Sequence, residues 1–365
     1  MTLHTLGSGL LRDVRKIAVL RANYLGDFIF CLPALDALRS AYPDAEIVLL
    51  ANPWHEAFLA GRPGPIDRVV VVPPQEGVRI EPGMPGDPEE LDRFFKQMEQ
   101  ERFDLAIQIH GGGRYSNPFT LRLRARTTAG LRSPDAAPLD LWAPYVYYQS
   151  EVFRFLEVVS LVGAVPVSIE PHLTVTEQDL SEARSVVPDD APLVALHPGA
   201  NDTRRQWPPE KFAALGDALA AAGARVVVTG TEPERELVQA VVGTMRCEAQ
   251  DLCRRLSLRG LAGLLSRCAV VVSNDSGPLH LAGAVGAATV GIYWCGNLIN
   301  AGPITRVRHR PAISWRLACP VCGVDCTRDS CVHRDSFVAD VTVREVTESA
   351  LDLLRSTAPS ATQQR

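Results

Sequence analysis

Short apolar segments alternate with polar loops and helical patterns along the whole chain, and this alternation restricts the fold more than any other feature. In the N-terminal half, apolar runs at Lys16–Leu20 and Glu46–Ala51 enclose a loop and a helical pattern at 28–41. Further short apolar runs follow at 67–72 and 104–109. Strands that alternate with helices pair in parallel, because each helix carries the chain back to the edge where the previous strand began. The pattern therefore predicts an α/β fold with a doubly wound parallel sheet.

The same order begins again in the second half of the chain. An apolar run at 193–196 is followed by a polar loop and by a helical pattern at 208–222, which Gly223 ends as a C-terminal cap. Five more elements complete this half: strands at 225–229, 269–272 and 288–294, and helices near 233–242 and 258–266. Repetition of the pattern predicts a second doubly wound sheet and hence a second domain.

The boundary between the halves is predicted within 171–192, where a strand-like segment at 172–175 precedes a polar helix. We expect a first domain at 1–175 and a second at 176–345. Residues 346–365 are expected to form the end of a helix and a disordered tail.

Composition excludes several classes of protein. The 365 residues are 46% hydrophobic, which is enough for two cores, and the net charge of −5 provides no general attraction to nucleic acid. We find no apolar run of about 18 residues and no signal-peptide pattern, so we expect a cytoplasmic protein with no membrane span. Nine cysteines in such a chain are expected to be mostly reduced.

The turn from Ser273 to His280 joins an apolar strand to a short helix predicted at 281–286. Gly277 permits close approach to the backbone, and Pro278 suits the first turn of a helix. Such strand-to-helix turns present backbone N–H groups to anions, which makes this a candidate phosphate site. The alternative is that Asp275 or Ser276 only caps the helix.

A second polar loop follows the first strand and contains Gly26 and Asp27. A carboxylate at this end of a parallel strand is placed to act as a general base toward a hydroxyl group. Asp27 could equally serve as a helix cap. The loop lacks the G-x-G-x-x-G spacing, which argues against a nicotinamide dinucleotide.

Two loops of the second half also follow strands. His197 and Gly199 precede Arg204 and Arg205, a pair of arginines that could neutralise a diphosphate. The next loop contains Glu234, which could accept hydrogen bonds from a ribose or simply occupy a helix N-terminus.

Arginines without intervening acidic residues follow the strand at 104–109. His110 and Arg114 come directly after it, and no acidic residue occurs between positions 105 and 134. This local excess of positive charge predicts contact with an anionic partner, and His110 would orient it. The alternatives are arginines on a solvated helix and a structural histidine.

These motifs, taken in order, resemble the bacterial heptosyltransferases of glycosyltransferase family 9. The resemblance rests on Gly26-Asp27 with Leu32-Pro33-Ala34-Leu35, on His197-Pro198-Gly199 with Arg205-Gln206-Trp207-Pro208, and on the turn from Asn274 to His280. It implies the GT-B architecture, in which two Rossmann-like domains face each other across a cleft. It also implies inverting transfer from a nucleotide sugar, usually ADP-heptose, without a catalytic metal.

The resemblance also implies roles for individual residues. Asp27 would be the general base for the acceptor hydroxyl, and Arg205 would contact the donor diphosphate where the family usually has a lysine. Glu234 would meet the nucleotide ribose. The remaining donor-binding positions are His197, Gly199, Asp275, Ser276, Gly277 and His280.

The acceptor would be a glycan, lipopolysaccharide core or metabolite, met by His110 and Arg114. An anionic lipid-linked acceptor would place the protein at the inner face of the cytoplasmic membrane, and a small-molecule acceptor would not. Asp-x-Asp does not occur in the chain, so the usual carboxylate pair for a nucleotide-sugar metal is missing. Two alternatives are a GT-B enzyme without transferase activity, such as a nucleotide-sugar epimerase, and a catalytically silent nucleotide-sugar-binding protein.

A cysteine cluster near the C-terminus stands apart from these motifs. Four cysteines and one histidine fall within fifteen residues: Cys319, Cys322, Cys326, Cys331 and His333. The group is compact enough to hold a structural zinc ion, but its spacing matches no standard zinc module. The sequence favours reduced thiols or a local disulfide over zinc.

Overall fold

A computed structural model describes residues 9–188 and 192–357. The chain divides into two units, one reaching to Thr174 and the other beginning at Val175. The expected disordered tail falls mainly on residues 358–365, which lie outside the described residues.

The first unit contains six strands and five helices among its described residues. In chain order they are β1 (Lys16–Leu20), α1 (Leu25–Ala41), β2 (Glu46–Ala51), α2 (Pro53–Leu59), β3 (Arg68–Val71), α3 (Pro88–Glu101), β4 (Leu105–Gln108), α4 (Ser116–Arg122), β5 (Thr127–Arg132), β6 (Leu141–Pro144) and α5 (Glu151–Ser160).

The described part of the second unit contains six strands and seven helices. They are α6 (Glu177–Val186), β7 (Leu193–His197), α7 (Pro209–Ala221), β8 (Arg225–Val228), α8 (Arg235–Thr244), β9 (Ala249–Asp251), α9 (Leu258–Ser266), β10 (Cys268–Asn274), α10 (Gly277–Ala284), β11 (Ala288–Trp294), α11 (Cys295–Ala301), β12 (His309–Ser314) and α12 (Val343–Thr357). Short 3-10 turns at Thr203–Arg205 and Glu232–Glu234 follow β7 and β8.

Both sheets are entirely parallel and have the same topology. The strand orders are β3-β2-β1-β4-β5-β6 and β12-β11-β10-β7-β8-β9. In each sheet the first and fourth strands of the unit are neighbours, and the chain reverses direction across the sheet at that point. Ligands of doubly wound sheets bind beyond the carboxyl ends of these two strands, where the following loops diverge. The two switch points are therefore the loops after β1 and β4 and the loops after β7 and β10.

Apolar side chains that alternate along the central strands form the core of each unit. In the first sheet, Ala18 and Leu20 of β1 share a face with Val48 and Leu50 of β2. In the second sheet, residues from β7 and β10 alternate in the same way and pack with buried side chains of α7 and α12: Val194, Leu196, Val270, Val272, Phe212, Leu215, Val346 and Leu353. Side chains of a strand point alternately to opposite faces, so each apolar strand can bury both faces beneath helices.

The structure confirms the α/β prediction and corrects several local expectations. Gly223 follows α7 with a φ of +88°, as expected for a glycine that ends a helix. Helix α10 begins at Gly277, four residues before the predicted start. The strand expected at 172–175 does not form: this described segment has no regular structure, and the Thr174 carbonyl accepts a hydrogen bond from the Arg62 side chain at 2.6 Å. Because a side chain holds that carbonyl, it is not available to a sheet ladder.

One long helix was absent from the sequence prediction. Helix α3 starts with Asp87, whose side chain accepts the Glu89 N–H at 2.9 Å, followed by Pro88. An aspartate cap followed by proline is a recognised start of a helix, so the signal was present at the end of the proline- and glycine-rich stretch at 73–88, which the sequence indicates as a loop. No helix in the described residues is long and apolar enough to span a bilayer.

Candidate functional site

Asp275 is the centre of a polar cluster at the end of β10. Its carboxylate is almost fully buried and is held by three side chains. Arg205 and Asn297 contact Oδ2 at 3.1 and 2.9 Å, and His280 contacts Oδ1 at 3.1 Å. Both oxygens therefore have partners, which leaves Asp275 poorly placed to accept a proton from a substrate.

The charge of Asp275 is maintained despite its burial. Burial alone would raise the pKa of this carboxyl, but the bonds and charges of His280, Arg205 and Asn297 together hold its pKa below the usual value. Asp275 therefore remains ionised and keeps the Arg205 guanidinium beside the N-terminus of α10. Because that helix end carries partial positive charge, the cluster presents cationic groups at the switch point of the second sheet.

Ser276 and Gly277 form the turn between β10 and α10. Ser276 precedes the helix with extended backbone angles, and its hydroxyl lies 3.0 Å from the hydroxyl of Ser273. Gly277 is the first residue of α10. Both residues therefore lie at the helix N-terminus that the sequence indicated as an anion site.

Asn274 joins this turn to the loop after β7. Its side chain donates to the Pro198 carbonyl at 2.6 Å and accepts the Trp207 N–H at 3.0 Å. The Trp207 ring is buried and donates from Nε1 to Val341 at 2.9 Å. These bonds fix both ends of the loop that contains Arg205.

A second cluster surrounds the end of β7 in the same unit. The Glu234 carboxylate accepts hydrogen bonds from the N–H and the hydroxyl of Thr231, each at 2.7 Å. Its other oxygen lies 3.9 Å from Nε2 of His197, whose Nδ1 is 3.1 Å from the Thr229 hydroxyl. Burial lowers the pKa of His197, so the imidazole is neutral at physiological pH.

Gly199 lies directly beneath the Glu234 carboxylate. A methyl group at position 199 would overlap Oε1 and Cδ of Glu234 and come within 2.9 Å of Oε2. Only glycine at position 199 permits this arrangement. The structure therefore groups His197, Gly199 and Glu234 as one cluster.

Asp27 lies in the first unit, at the third residue of α1. Oδ2 accepts the N–H of Tyr24 at 3.2 Å, which partly satisfies the helix N-terminus. Oδ1 is 3.3 Å from Nη2 of Arg21, a buried guanidinium that also donates to the Ile109 carbonyl at 2.6 Å. The Asp27 side chain is 34% exposed, so its carboxylate is fixed in orientation and still open to solvent.

Arg21 was not predicted as a site residue from the sequence, although it immediately follows β1. It also contacts Glu151 at the start of α5 at 3.3 Å and packs over the ring of Phe155. A buried arginine is a costly feature unless carboxylates surround it, as they do here. The signal available in the sequence was an arginine directly after a fully apolar strand.

His110 is buried at the end of β4, and its Nδ1 accepts the Ala22 N–H at 3.2 Å. Burial, with the nearby charge of Arg21, lowers the pKa of His110 to about 3. The imidazole is neutral and connects the loops after β1 and β4. This geometry favours the structural interpretation of His110.

The arginines after β4 are paired by acidic residues from distant parts of the sequence. Arg122 lies 2.8 Å from Asp92, and Arg126 lies 3.7 Å from Asp104. Arg114 is more loosely associated with Asp135, at 3.9 Å, and its side chain is 69% exposed. Of the basic residues in this segment, Arg114 is therefore among those left more open to an anion.

Two parallel six-stranded sheets of identical topology, each with polar loops at its switch point, define a two-domain α/β protein with the GT-B fold. The sequence model of glycosyltransferase family 9 (heptosyltransferase) matches residues 91–312. The chain belongs to this family.

Relatives are similar over most of the chain. Lipopolysaccharide heptosyltransferase 2 of Salmonella typhimurium is 26% identical over 295 residues, which cover 76% of this chain and 82% of that protein. A glycosyltransferase family 9 structure from Veillonella parvula aligns with a TM-score of 0.77 at 21% identity, covering 96% of this chain and 99% of that one. The structure of E. coli ADP-heptose LPS heptosyltransferase II aligns with a TM-score of 0.73 at 18% identity, covering 94% and 99%.

Proposed function

We propose that the protein is an inverting, metal-independent glycosyltransferase that moves a heptose from ADP-heptose to a hydroxyl of the lipopolysaccharide core. The observation that carries the proposal is the buried, ionised Asp275 bound to Arg205, His280 and Asn297 at the second switch point. Membership of family 9 and the similarity to lipopolysaccharide heptosyltransferases support the choice of donor and acceptor.

The second unit supplies the donor-binding residues in this proposal. Arg205 neutralises the diphosphate, and the backbone N–H groups at the start of α10 stabilise the charge that develops on the leaving ADP. Asp275 holds Arg205 and His280 in position and does not itself accept a proton. Glu234, seated over Gly199, accepts hydrogen bonds from the ribose hydroxyls.

Asp27 acts as the general base of the first unit. A carboxylate has about four acceptor positions, and contacts to Tyr24 and Arg21 account for two of them. The remaining positions can take the proton of the acceptor hydroxyl as that oxygen attacks the anomeric carbon. Attack from the face opposite the departing ADP inverts that carbon.

Absence of the Asp-x-Asp carboxylate pair from the sequence supports transfer without a catalytic metal. Arg114 is the proposed contact for an anionic acceptor, and buried His110 shapes the loop beside it. We infer that transfer takes place in the cytoplasm, at the inner face of the membrane when the acceptor is lipid-linked.

The test pairs Asp27→Ala with the exposed control Asp44→Ala. Transfer is measured with ADP-heptose and a heptose-deficient core acceptor, and donor binding is measured by calorimetry. Asp27→Ala should lower the transfer rate by at least about 10²-fold, the usual contribution of a general base, with ADP affinity nearly unchanged. Full turnover by this variant would exclude Asp27 as the base.

The donor site is tested with Arg205→Ala and the control Arg246→Ala, whose side chain is 92% exposed. Arg205→Ala should weaken ADP binding measurably, and unchanged affinity would refute its role. A wild-type protein that binds ADP-heptose but transfers nothing to any acceptor would instead indicate a silent nucleotide-sugar-binding protein.

A further inference from the structure

The connection between β12 and α12 has little regular structure and no core of its own. Residues 315–342 contain no named helix or strand, and only an isolated bridge pairs Ala318 with Asp325. Residues 320–336 are all described, and none of them is buried. A segment as long as 320–336 without a buried side chain needs another source of order.

Four metal-binding side chains from this connection converge on one point. The ligand atoms of Cys319, Cys322, Cys331 and His333 all lie within 4.8 Å of one another. Sulfurs in a tetrahedral zinc site, with Zn–S bonds of about 2.3 Å, are separated by about 3.8 Å. Small side-chain rotations would therefore close the four atoms around one ion.

The backbone of the first two cysteines forms a tight turn that directs both sulfurs to one side. The Gly323 N–H donates to the Cys319 carbonyl at 3.0 Å, and the Cys319 N–H donates to the Val324 carbonyl at 2.8 Å. Gly323 has a φ of +76°, a conformation that side chains rarely adopt.

Convergence of three sulfurs and one imidazole distinguishes a metal site from a disulfide. A disulfide uses two cysteines and has no need of His333, whereas three thiolates and one imidazole form a complete tetrahedral shell. Cys326 is outside this set, although its sulfur lies 3.9 Å from that of Cys331. We propose that Cys319, Cys322, Cys331 and His333 bind one structural Zn²⁺ ion.

The zinc site has a consequence for the loop that contains Arg205. Residues just after His333 hydrogen-bond to that loop on both sides of Arg205. On the C-terminal side, the Ser336 hydroxyl donates to the Gln206 carbonyl at 2.6 Å. The Thr203 hydroxyl donates to the Arg334 carbonyl at 3.2 Å, and the Phe337 N–H donates to the Arg204 carbonyl at 2.7 Å. A metal ion that fixes His333 therefore also fixes residues 334–337, which bind this loop. The ion thus contributes to donor binding without touching the donor.

The test measures metal directly. Protein purified without a metal-affinity tag is analysed by inductively coupled plasma mass spectrometry, before and after incubation with ZnCl₂ and desalting. We expect one zinc per chain in the wild type and in the control Cys247→Ser, whose exposed cysteine lies elsewhere in the same unit. Cys322→Ser should lose most of the zinc, and Cys326→Ser should retain it.

Three results would overturn the proposal. These are a wild type that binds no zinc even after incubation with ZnCl₂, zinc content unchanged in Cys322→Ser, and an intact mass that shows a disulfide within residues 319–331. Stoichiometric iron in place of zinc would overturn the choice of ion.

The consequence for the donor loop rests on the proposed role of Arg205 and is measured separately. Zinc removal should weaken ADP binding about tenfold, comparable to the loss of one charged hydrogen bond. Bound zinc with no effect of its removal on ADP affinity would overturn the link to the donor loop and leave the metal site intact. Failure of ADP to bind the zinc-loaded wild type would contradict the proposed function alone.

Discussion

Replacement of Gly199 by alanine tests how closely the Glu234 carboxylate is seated on the loop after β7. The added methyl group would overlap Oε1 and Cδ of Glu234, so the carboxylate must move. Movement away from Gly199 separates it from Thr231, whose N–H and hydroxyl each contact Oε2 at 2.7 Å. The substitution therefore displaces a proposed ribose contact without removing its charge.

The expected loss of ADP affinity follows from the hydrogen bond that this displacement breaks. A hydrogen bond to a charged group contributes about 1.5–3 kcal/mol, and in this case the bond at stake is the one that Glu234 makes to the ribose. Its loss corresponds to about 10- to 150-fold weaker ADP binding. Glu234→Gln should weaken binding by a smaller factor, because the amide can still accept one hydrogen bond.

Calorimetric titration of ADP into the wild type, Gly199→Ala, Glu234→Gln and the double variant measures the effect. Gly243→Ala is the matched control, because nothing lies within 4 Å of the added methyl group and the position is within α8. That control should preserve ADP affinity and raise stability by about 0.5–1 kcal/mol. The two site substitutions should be non-additive, since both act on the same carboxylate. Wild-type affinity in Gly199→Ala would refute the reasoning.

Two further predictions concern the loops at the switch points. Asn274→Ala should destabilise the second unit by about 2–4 kcal/mol in urea unfolding, because the Trp207 N–H and the Pro198 carbonyl both lose a buried partner; a cost below about 1 kcal/mol would contradict this. The pKa of His110 is lowered to about 3 by burial. Below about pH 6.5 the imidazole of the unfolded chain therefore binds a proton that the buried imidazole of the folded chain does not bind. Stability contributed by neutral His110 is complete above that pH and should fall by about 2 kcal/mol between pH 7 and pH 5. His110→Gln should remove that part of the pH dependence, and an unchanged dependence would contradict the burial argument.

Elements with strong apolar patterns were predicted closely from the sequence. The bounds of α9 and β11 coincide with the predicted ones, and both segments are strongly apolar. Helix α3 was missed and the strand at 172–175 was wrong. Helix α3 is largely polar, and only the short cap signal at Asp87 marks its start. At 172–175, the Arg62 side chain binds the Thr174 carbonyl that a strand would need for its hydrogen bonds.

Site prediction from the sequence depended on strand ends. Asp27, Arg205 and Asp275, in the loops after β1, β7 and β10, were identified, because every parallel strand delivers its next loop to the same edge of the sheet. Asn297 and Arg21 were not identified, since their partners Asp275 and Asp27 are recognised only once the side chains are placed. The roles of all of these residues in transfer remain predictions.

The sequence by itself determined the α/β class, the two repeated sheets and the family, because apolar periodicity and ordered motifs are local properties of the chain. Only the tertiary structure decided which carboxylate is free to act. Asp27 keeps an exposed face, whereas Asp275 is buried with both oxygens occupied. It also decided that four ligands from residues 319–333 meet at one point. Convergence of side chains depends on distances between separate parts of the backbone, and spacing along a chain does not specify those distances.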